Sequence, residues 1–210
     1  IYTLSLHDAL PIFDCTSSKQ IIQLVWGDIH MYAFLSDIHI GVKLSKESFM
    51  QSLEMFLECI QKSEEECHAI FVCGDLFERR LNVSDAKYAA VFISRLVYNR
   101  SGKNCRNIPV YFVHGTFSHD QDQYPIFLKM IDKSVLADVF YIEHACALTL
   151  VDGKKALFLP QEYDVDYGDL LNDSYDIIVG HGPITSNTKN PCKVANYDTV
   201  HSAELLGNII

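Results

Sequence analysis

Three short blocks spaced along the chain decide the fold: FLSDIHIG at 34–41, FVCGDLFERR at 71–80 and FSHD at 117–120. Each block places an Asp or a His close behind an apolar run rich in β-branched or aromatic residues, which is the pattern of a buried strand. Because open α/β sheets carry their chemistry just beyond the carboxyl ends of their strands, we expect these side chains to meet at one sheet edge. The residues concerned are Asp37, His39, Asp75 and His119.

A fourth block, YDIIVGHG at 175–182, adds His181 in the same context. Carboxylates and imidazoles that converge from separate strand ends form the donor set that a pair of divalent ions needs. Taken singly, Asp37 or Asp75 could be an ordinary turn residue at a strand end, and the Gly-His-Gly-Pro stretch around His181 could be a tight loop. As an ordered set, the blocks predict a metal-dependent site.

The hydrophobic periodicity predicts a layered α/β fold. Strand-like runs alternate with segments of helical spacing in the first half, which favours parallel strands joined by right-handed crossovers. The second half changes to shorter runs around a hairpin signal at Asp152-Gly153, which predicts a second sheet. The expected strands are 32–36, 69–73, 110–113, 139–142, 147–151, 156–159 and 175–179, and the expected helices lie around 49–60 and 88–96.

Composition sets broad limits on compartment and partners. The chain has 210 residues, 49% of them hydrophobic, which suffices for one domain with a sizeable core, and no apolar run approaches the length of a membrane span. Seven cysteines without a Cys-x-x-Cys pair favour a reducing compartment, so we expect a cytoplasmic protein. The net charge of −10 is unusual for a protein that grips the DNA backbone, unless bound ions neutralise carboxylates or a partner supplies basic surface.

The ordered blocks resemble the motifs of the calcineurin-like metallophosphoesterases, which run DxH, GDxxxR, GNH[DE], H and GHxH. The resemblance covers roughly residues 31–210 and is nearest to the nuclease subunit of the SbcC–SbcD DNA repair complex and its phage-encoded relatives. It implies two mixed β-sheets flanked by helices. It also implies phosphodiester hydrolysis with two divalent ions, Mn²⁺ ahead of Mg²⁺ or Fe²⁺. DNA is the implied substrate, an SMC-like ATPase or a second copy the implied partner, and no membrane is involved.

The resemblance also implies a role for each block residue. Asp75 would bridge the two ions, Asp37 and His39 would face the first ion, and His181 would bind the second. His119 would protonate the leaving oxygen, with Asp120 fixing its tautomer. Arg79 or Arg80 would contact a phosphate or form a salt bridge with the Gly-Asp loop, and the sequence leaves that choice open.

The chain departs from the family pattern in two places. Ser118 stands where the GNH[DE] block carries an Asn ligand; a hydroxyl is a poorer ligand, and Thr116 or a water is the alternative. The GHxH block does not occur within the 210 residues. We therefore interpret the chain as a fragment, truncated at its C-terminus, that binds metal poorly and whose last ligands lie beyond residue 210.

Residues 1–30 are predicted to be a non-native leader, so that the metallophosphoesterase domain would be 31–210. The first twelve residues, IYTLSLHDALPI, resemble the in-frame translation of a common sequencing adapter. Residues 13–30 would be translated upstream sequence, with Met31 as the native start.

Two rival functions remain open from the sequence. The first keeps the site but acts on a phosphoprotein, a nucleotide or a small phosphodiester, which the acidic charge favours. The second is an inactive scaffold that keeps the fold as a binding module, which Ser118 and the missing GHxH block favour.

Overall fold

The structure is a computed structural model that describes residues 21–26, 31–42, 46–63, 66–101, 106–162, 167–182, 184–185 and 201–202. Its strands are β1 (Ile21–Trp26), β2 (Met31–Ser36), β3 (Cys67–Cys73), β4 (Arg100–Ser101), β5 (Arg106–Asn107), β6 (Val110–Val113), β7 (Val139–Ile142), β8 (Cys146–Thr149), β9 (Lys155–Leu159), β10 (Ile177–Gly180), β11 (Ile184–Thr185) and β12 (His201–Ser202). Its helices are α1 (Lys46–Lys62), α2 (Val83–Val97), α3 (Phe117–Asp120) and α4 (Tyr124–Leu128), with 3₁₀ helices at Leu136–Asp138 and Gly168–Asn172.

Two mixed sheets form the framework, as predicted. The first has the strand order β1-β2-β3-β6-β7, in which β2, β3, β6 and β7 run parallel and β1 is antiparallel to β2. The second has the order β10-β9-β8, with β10 parallel and β8 antiparallel to β9. Parallel strands end at the same edge of their sheet, so the loops that follow β2, β3 and β6 are brought together.

Successive side chains of the parallel strands point to opposite faces of the first sheet, so each strand contributes to two cores. In β3, Ile70 and Val72 belong to the core shared with the helices, whereas Ala69 and Phe71 belong to the core between the two sheets. Strand β6 divides in the same way. A strand covered on both faces must be apolar on both, which explains its continuous hydrophobic run. The predicted helical spacing is confirmed, since Phe49, Leu53, Phe56, Leu57 and Ile60 of α1 are all buried.

The predicted strand positions are confirmed, with small changes at the ends. Strand β8 ends at Thr149 rather than at Val151, because the amide of Gly153 donates to the Leu150 carbonyl and closes the hairpin turn earlier. The proposed helix cap at Ser45 lies outside the described residues. Among the described residues, no helix is both long enough and apolar enough to cross a lipid bilayer.

Strand β1 lies within residues 1–30, the segment that the sequence analysis assigns to a non-native leader. The leader assignment stays a prediction, and a chain that begins at Met31 tests it. We expect this shorter chain to keep its urea midpoint, because a leader contributes no native packing. A large drop in the midpoint would instead assign β1 to the native domain.

Phe71 lies at the centre of a cluster of aromatic rings between the two sheets. It is fully buried, and its ring stacks on Phe34 and Tyr111 at centroid distances of 4.9 and 5.3 Å. We expect Phe71→Ala to lower the free energy of unfolding by about 3–5 kcal/mol, measured by urea denaturation. Phe117→Ala is the matched control, because that ring is 52% exposed. Equal losses in the two variants would contradict this account of the core.

Candidate metal centre

Left-handed backbone conformations mark the loops that follow β2 and β3. Asp37, His39 and Asp75 have φ angles of 53°, 50° and 49°. Non-glycine residues rarely adopt this region, and such residues cluster at functional sites where surrounding contacts hold them in place. All three were predicted from the sequence as metal ligands, and the structure gives each of them this unusual backbone.

The two loops are joined to each other along their backbones. The amide of His39 donates to the Asp75 carbonyl at 2.9 Å, and the amide of Ile40 donates to the Leu76 carbonyl at 2.8 Å. In return, the Glu78 amide donates to the Ile40 carbonyl at 3.0 Å. The Asp-x-His and Gly-Asp blocks therefore continue the β2–β3 pairing beyond the ends of the strands, which fixes the spacing of their side chains.

Glycine is required where the loops after β3 and β6 approach each other. A Cβ atom on Gly115 would lie 2.2 Å from the Asp75 amide nitrogen, and one on Gly74 would lie 2.3 Å from Nδ1 of His181. Real Cβ atoms do not come so close to other heavy atoms. These two glycines let backbone and imidazole pack against Asp75.

Asp120 forms the buried base of the site. Its side chain is fully buried, and its carboxylate accepts hydrogen bonds from the amides of Gly115, Asp75 and Phe77 at 2.8, 3.1 and 3.1 Å. The Tyr124 hydroxyl also donates to it, at 3.3 Å. Burial raises the pKa of Asp120, and the amides of Phe77 and Gly115 oppose that rise. Asp120 thus holds the loops after β3 and β6 together.

The expected contact between Asp120 and His119 is not formed, and this corrects the sequence-based interpretation. His119 lies in the short helix α3, and its Nδ1 lies 2.7 Å from the Glu78 carbonyl. A carbonyl can only accept, so Nδ1 carries the hydrogen and Nε2 of the neutral ring keeps its lone pair. Glu78, through its backbone, thus fixes the tautomer that the sequence analysis assigned to Asp120. The predicted catalytic roles of His119 and Asp120 stay predictions.

Three of the predicted residues come together as a cluster that could hold a metal ion. Ligand atoms of His39, Asp75 and His119 all lie within 4.8 Å of one another. Asp37 flanks this cluster, with Oδ1 3.9 Å from Nε2 of His39. Nδ1 of His39 lies 2.9 Å from a Glu78 carboxylate oxygen, but out of line for a hydrogen bond, and this buried nitrogen has no hydrogen-bond partner in the described structure. Two imidazoles and a buried carboxylate suit a divalent ion.

His181 contacts Asp75 from the second sheet. Its Nε2 lies 3.4 Å from Oδ1 of Asp75, and its Nδ1 lies 2.9 Å from the Cys73 carbonyl. Burial tends to lower the pKa of His181, but the hydrogen bond and charge of Asp75 raise it above its ordinary value. Burial tends to raise the pKa of Asp75, and His181 together with the Thr116 amide brings it below its ordinary value. The two side chains therefore interact directly.

Thr116, rather than Ser118, faces the site. The Thr116 hydroxyl lies 3.3 Å from Oδ2 of Asp75 and 3.5 Å from Nε2 of His181, whereas Ser118 is exposed. Thr116 therefore lies beside two of the candidate ligands, and its replacement of the usual Asn stays a prediction. Arg79 and Arg80 are both exposed, and the choice between them stays open.

Sequence reasoning missed two residues of the site. Glu78 contacts His39 through its carboxylate and His119 through its carbonyl. Gln161, which follows β9, is buried with its amide oxygen 3.2 Å from the Thr116 hydroxyl. Its position in the sequence could have indicated Glu78, since it lies three residues after Asp75 in the same Gly-Asp block. Gln161 had no such signal, because it belongs to no recognisable block and reaches the site only through the packing of the second sheet.

Fold and site together define a class: an α/β protein with a candidate metal centre, in which Asp and His side chains follow the carboxyl ends of parallel strands. The calcineurin-like phosphoesterase family model matches residues 24–205, most of the chain. The chain belongs to this family. A comparison with curated proteins found no significant match. The family and the cluster of His39, Asp75 and His119 indicate metal-dependent phosphoester hydrolysis.

The hydrogen bonds of Asp120 predict its contribution to stability. We expect Asp120→Asn to lower the free energy of unfolding by about 3 kcal/mol, because an amide has one acceptor oxygen and its NH₂ group would face backbone donors. Urea denaturation of the metal-free protein measures this loss. Asp122→Asn is the matched control, since Asp122 is exposed two residues away. A similar loss in the control would contradict the role given to Asp120.

Proposed function

We propose that the chain is the nuclease subunit, or part of it, of an SbcD-like complex that hydrolyses DNA phosphodiester bonds with two Mn²⁺ ions. The cluster of His39, Asp75 and His119, with ligand atoms within 4.8 Å, is the observation that carries this proposal. Family membership supports a metal-dependent phosphoesterase. The order and form of the GDLFERR and SHD blocks, which resemble those of nucleases, favour DNA over other phosphodiesters.

Each candidate ligand has a proposed role in binding one or both ions. Asp75 is the only carboxylate that contacts both His181 and Thr116 among the described residues, which suits it to bridge two ions. Asp37 and His39 would hold the first ion and His181 the second. Bound divalent ions supply Lewis acidity and lower the pKa of a coordinated water, so that hydroxide is available near neutral pH.

His119 is the proposed proton donor to the leaving oxygen. Because Nδ1 donates to the Glu78 carbonyl, Nε2 is the ring nitrogen that would take up a proton and pass it to the leaving oxygen. The ring is partly exposed, so a substrate oxygen can reach it. His39 stacks edge-on against it at a centroid distance of 5.0 Å, which limits its rotation. We propose that His119 is catalytic through this nitrogen.

The charge of the chain bears on its partners. A net charge of −10 disfavours independent binding to a polyanion. We therefore propose that an SMC-like ATPase or a second copy of the chain supplies part of the DNA-binding surface, and that the complex is cytoplasmic. Phosphoprotein, nucleotide or small phosphodiester hydrolysis is the second candidate, because the same acidic charge favours it.

Substitutions at the cluster test the proposed chemistry. We expect Asp75→Asn and His119→Ala to lower kcat/KM for Mn²⁺-dependent hydrolysis at least about 100-fold, because one loses the proposed bridge and the other the proposed proton donor. Bis(p-nitrophenyl) phosphate and linear DNA serve as parallel substrates. The assay uses the whole chain.

The controls separate the candidate functions. His144→Ala should leave the rates unchanged, because that side chain is 80% exposed and pairs with Glu162. Undiminished activity in Asp75→Asn and His119→Ala would overturn the proposed site. Hydrolysis of the small substrate with none of DNA would favour the second candidate. Inactivity of the chain on both substrates would favour a scaffold.

A further inference from the structure

The Thr116 hydroxyl lies among more acceptors than it can satisfy. Its oxygen is 3.2 Å from Oε1 of Gln161, 3.3 Å from Oδ2 of Asp75 and 3.5 Å from Nε2 of His181. A hydroxyl has one hydrogen, so it can donate to one of these three atoms at a time. The Thr116 hydrogen therefore cannot satisfy Oε1 of Gln161 and Oδ2 of Asp75 at the same time.

The His181 ring contacts the same atoms in either protonation state. Its Nδ1 lies 2.9 Å from the Cys73 carbonyl and must therefore donate, so Nε2 donates to Asp75 in the protonated ring and offers its lone pair in the neutral ring. That Nε2 lies 3.4 Å from Oδ1 of Asp75, which already accepts the Thr116 amide at 2.7 Å. A bound cation is the species that lets several lone pairs converge on one point.

Burial separates this arrangement from a polar surface cluster. Gln161 is 7% exposed and Asp75 is 6% exposed, although both carry polar side chains. The backbone also holds Gln161 in place, since its amide donates to the His114 carbonyl at 3.4 Å. A buried carboxamide whose oxygen is directed into a cluster of acceptors requires a donor or a cation.

We propose that Thr116 and Gln161 are ligands of a divalent cation, which they bind together with Asp75 and His181. This inference rests on the metal-dependent function proposed above and assigns the oxygen donors of the second ion. A hydroxyl and a carboxamide oxygen are neutral, hard ligands of the kind that Mg²⁺ and Mn²⁺ accept. With one carboxylate and one imidazole they form a four-donor pocket at the junction of the two sheets.

A rival arrangement needs no ion. If the Gln161 carboxamide is rotated by 180°, its NH₂ group donates to the Thr116 oxygen, and the Thr116 hydroxyl donates to Asp75. In that arrangement Gln161 is a structural residue and has no effect on metal binding. Metal affinity, measured apart from activity, distinguishes the two arrangements.

The test is a titration of the whole chain with Mn²⁺. Binding is measured in two ways: by calorimetry, and by the electron paramagnetic resonance signal of the Mn²⁺ that remains free. We expect Thr116→Val and Gln161→Leu each to weaken one Mn²⁺ site at least about tenfold, because each removes a ligand oxygen. Thr116→Ser, which restores the hydroxyl, should recover the affinity. Gln161→Glu, which adds a charged oxygen, should tighten the same site by about tenfold.

Matched controls use the same substitutions on exposed residues. Thr149→Val in β8 and Gln51→Leu in α1 change the same chemical groups away from the site and should leave Mn²⁺ binding unchanged. A urea midpoint in EDTA checks that each variant is folded. If Thr116→Val does not fold, the opposite effects expected for Gln161→Leu and Gln161→Glu decide the matter.

The outcomes for this inference and for the proposed function are separate. Unchanged Mn²⁺ affinity in Gln161→Leu and Gln161→Glu would overturn the inference, even if the protein hydrolyses phosphodiesters. Weakened Mn²⁺ binding in a protein that hydrolyses neither DNA nor the small substrate would support the inference and reject the proposed activity. A wild-type chain that binds no Mn²⁺ would overturn both.

Discussion

The buried carboxylate of Asp120 is the constraint on which the site depends. Its two oxygens accept hydrogen bonds from the amides of Asp75, Phe77 and Gly115, which lie in the loops after β3 and β6. Without this carboxylate, three backbone donors would be buried without partners, and each would cost about 1–3 kcal/mol. The carboxylate thus fixes the distance between the two loops that carry the candidate ligands. The candidate metal centre is thus supported by a buried structural acid.

The site keeps strained backbone that the rest of the described chain largely avoids. Left-handed non-glycine residues cost roughly 1–3 kcal/mol each, and Asp37, His39 and Asp75 all adopt this conformation. Backbone pairing between the two loops, extended by the parallel bridge between Ile40 and Phe77, opposes their relaxation. The strain directs the side chains toward one another rather than along the strands. A sequence that relaxed these loops would be more stable but would lose the convergence of ligands.

The fold could be predicted from the sequence because buried strands and amphipathic helices each produce a recognisable local pattern of apolar residues. Phe71 and Val72 face opposite cores in a run that is apolar throughout, and such runs identified the parallel strands. The site could be predicted only in part. His39 and Asp75 follow strands directly, whereas Gln161 is brought to the site by the packing of the second sheet. Asp120 was assigned to the wrong partner because adjacency to His119 in sequence does not determine where a side chain in a one-turn helix points.

The carboxylates of the candidate site also bring negative charge into a small volume. Four carboxylates, those of Asp37, Asp75, Glu78 and Asp120, lie in one connected set of contacts with three imidazoles. Like charges at this spacing repel more strongly in a buried setting than in water, and a neutral imidazole does not offset them. A proton on His181, or divalent cations, would supply the missing positive charge. Because Nε2 of His181 is also a candidate ligand atom, protons and metal ions compete for this position. The acidity of the site therefore favours metal binding near neutral pH and opposes it in acid.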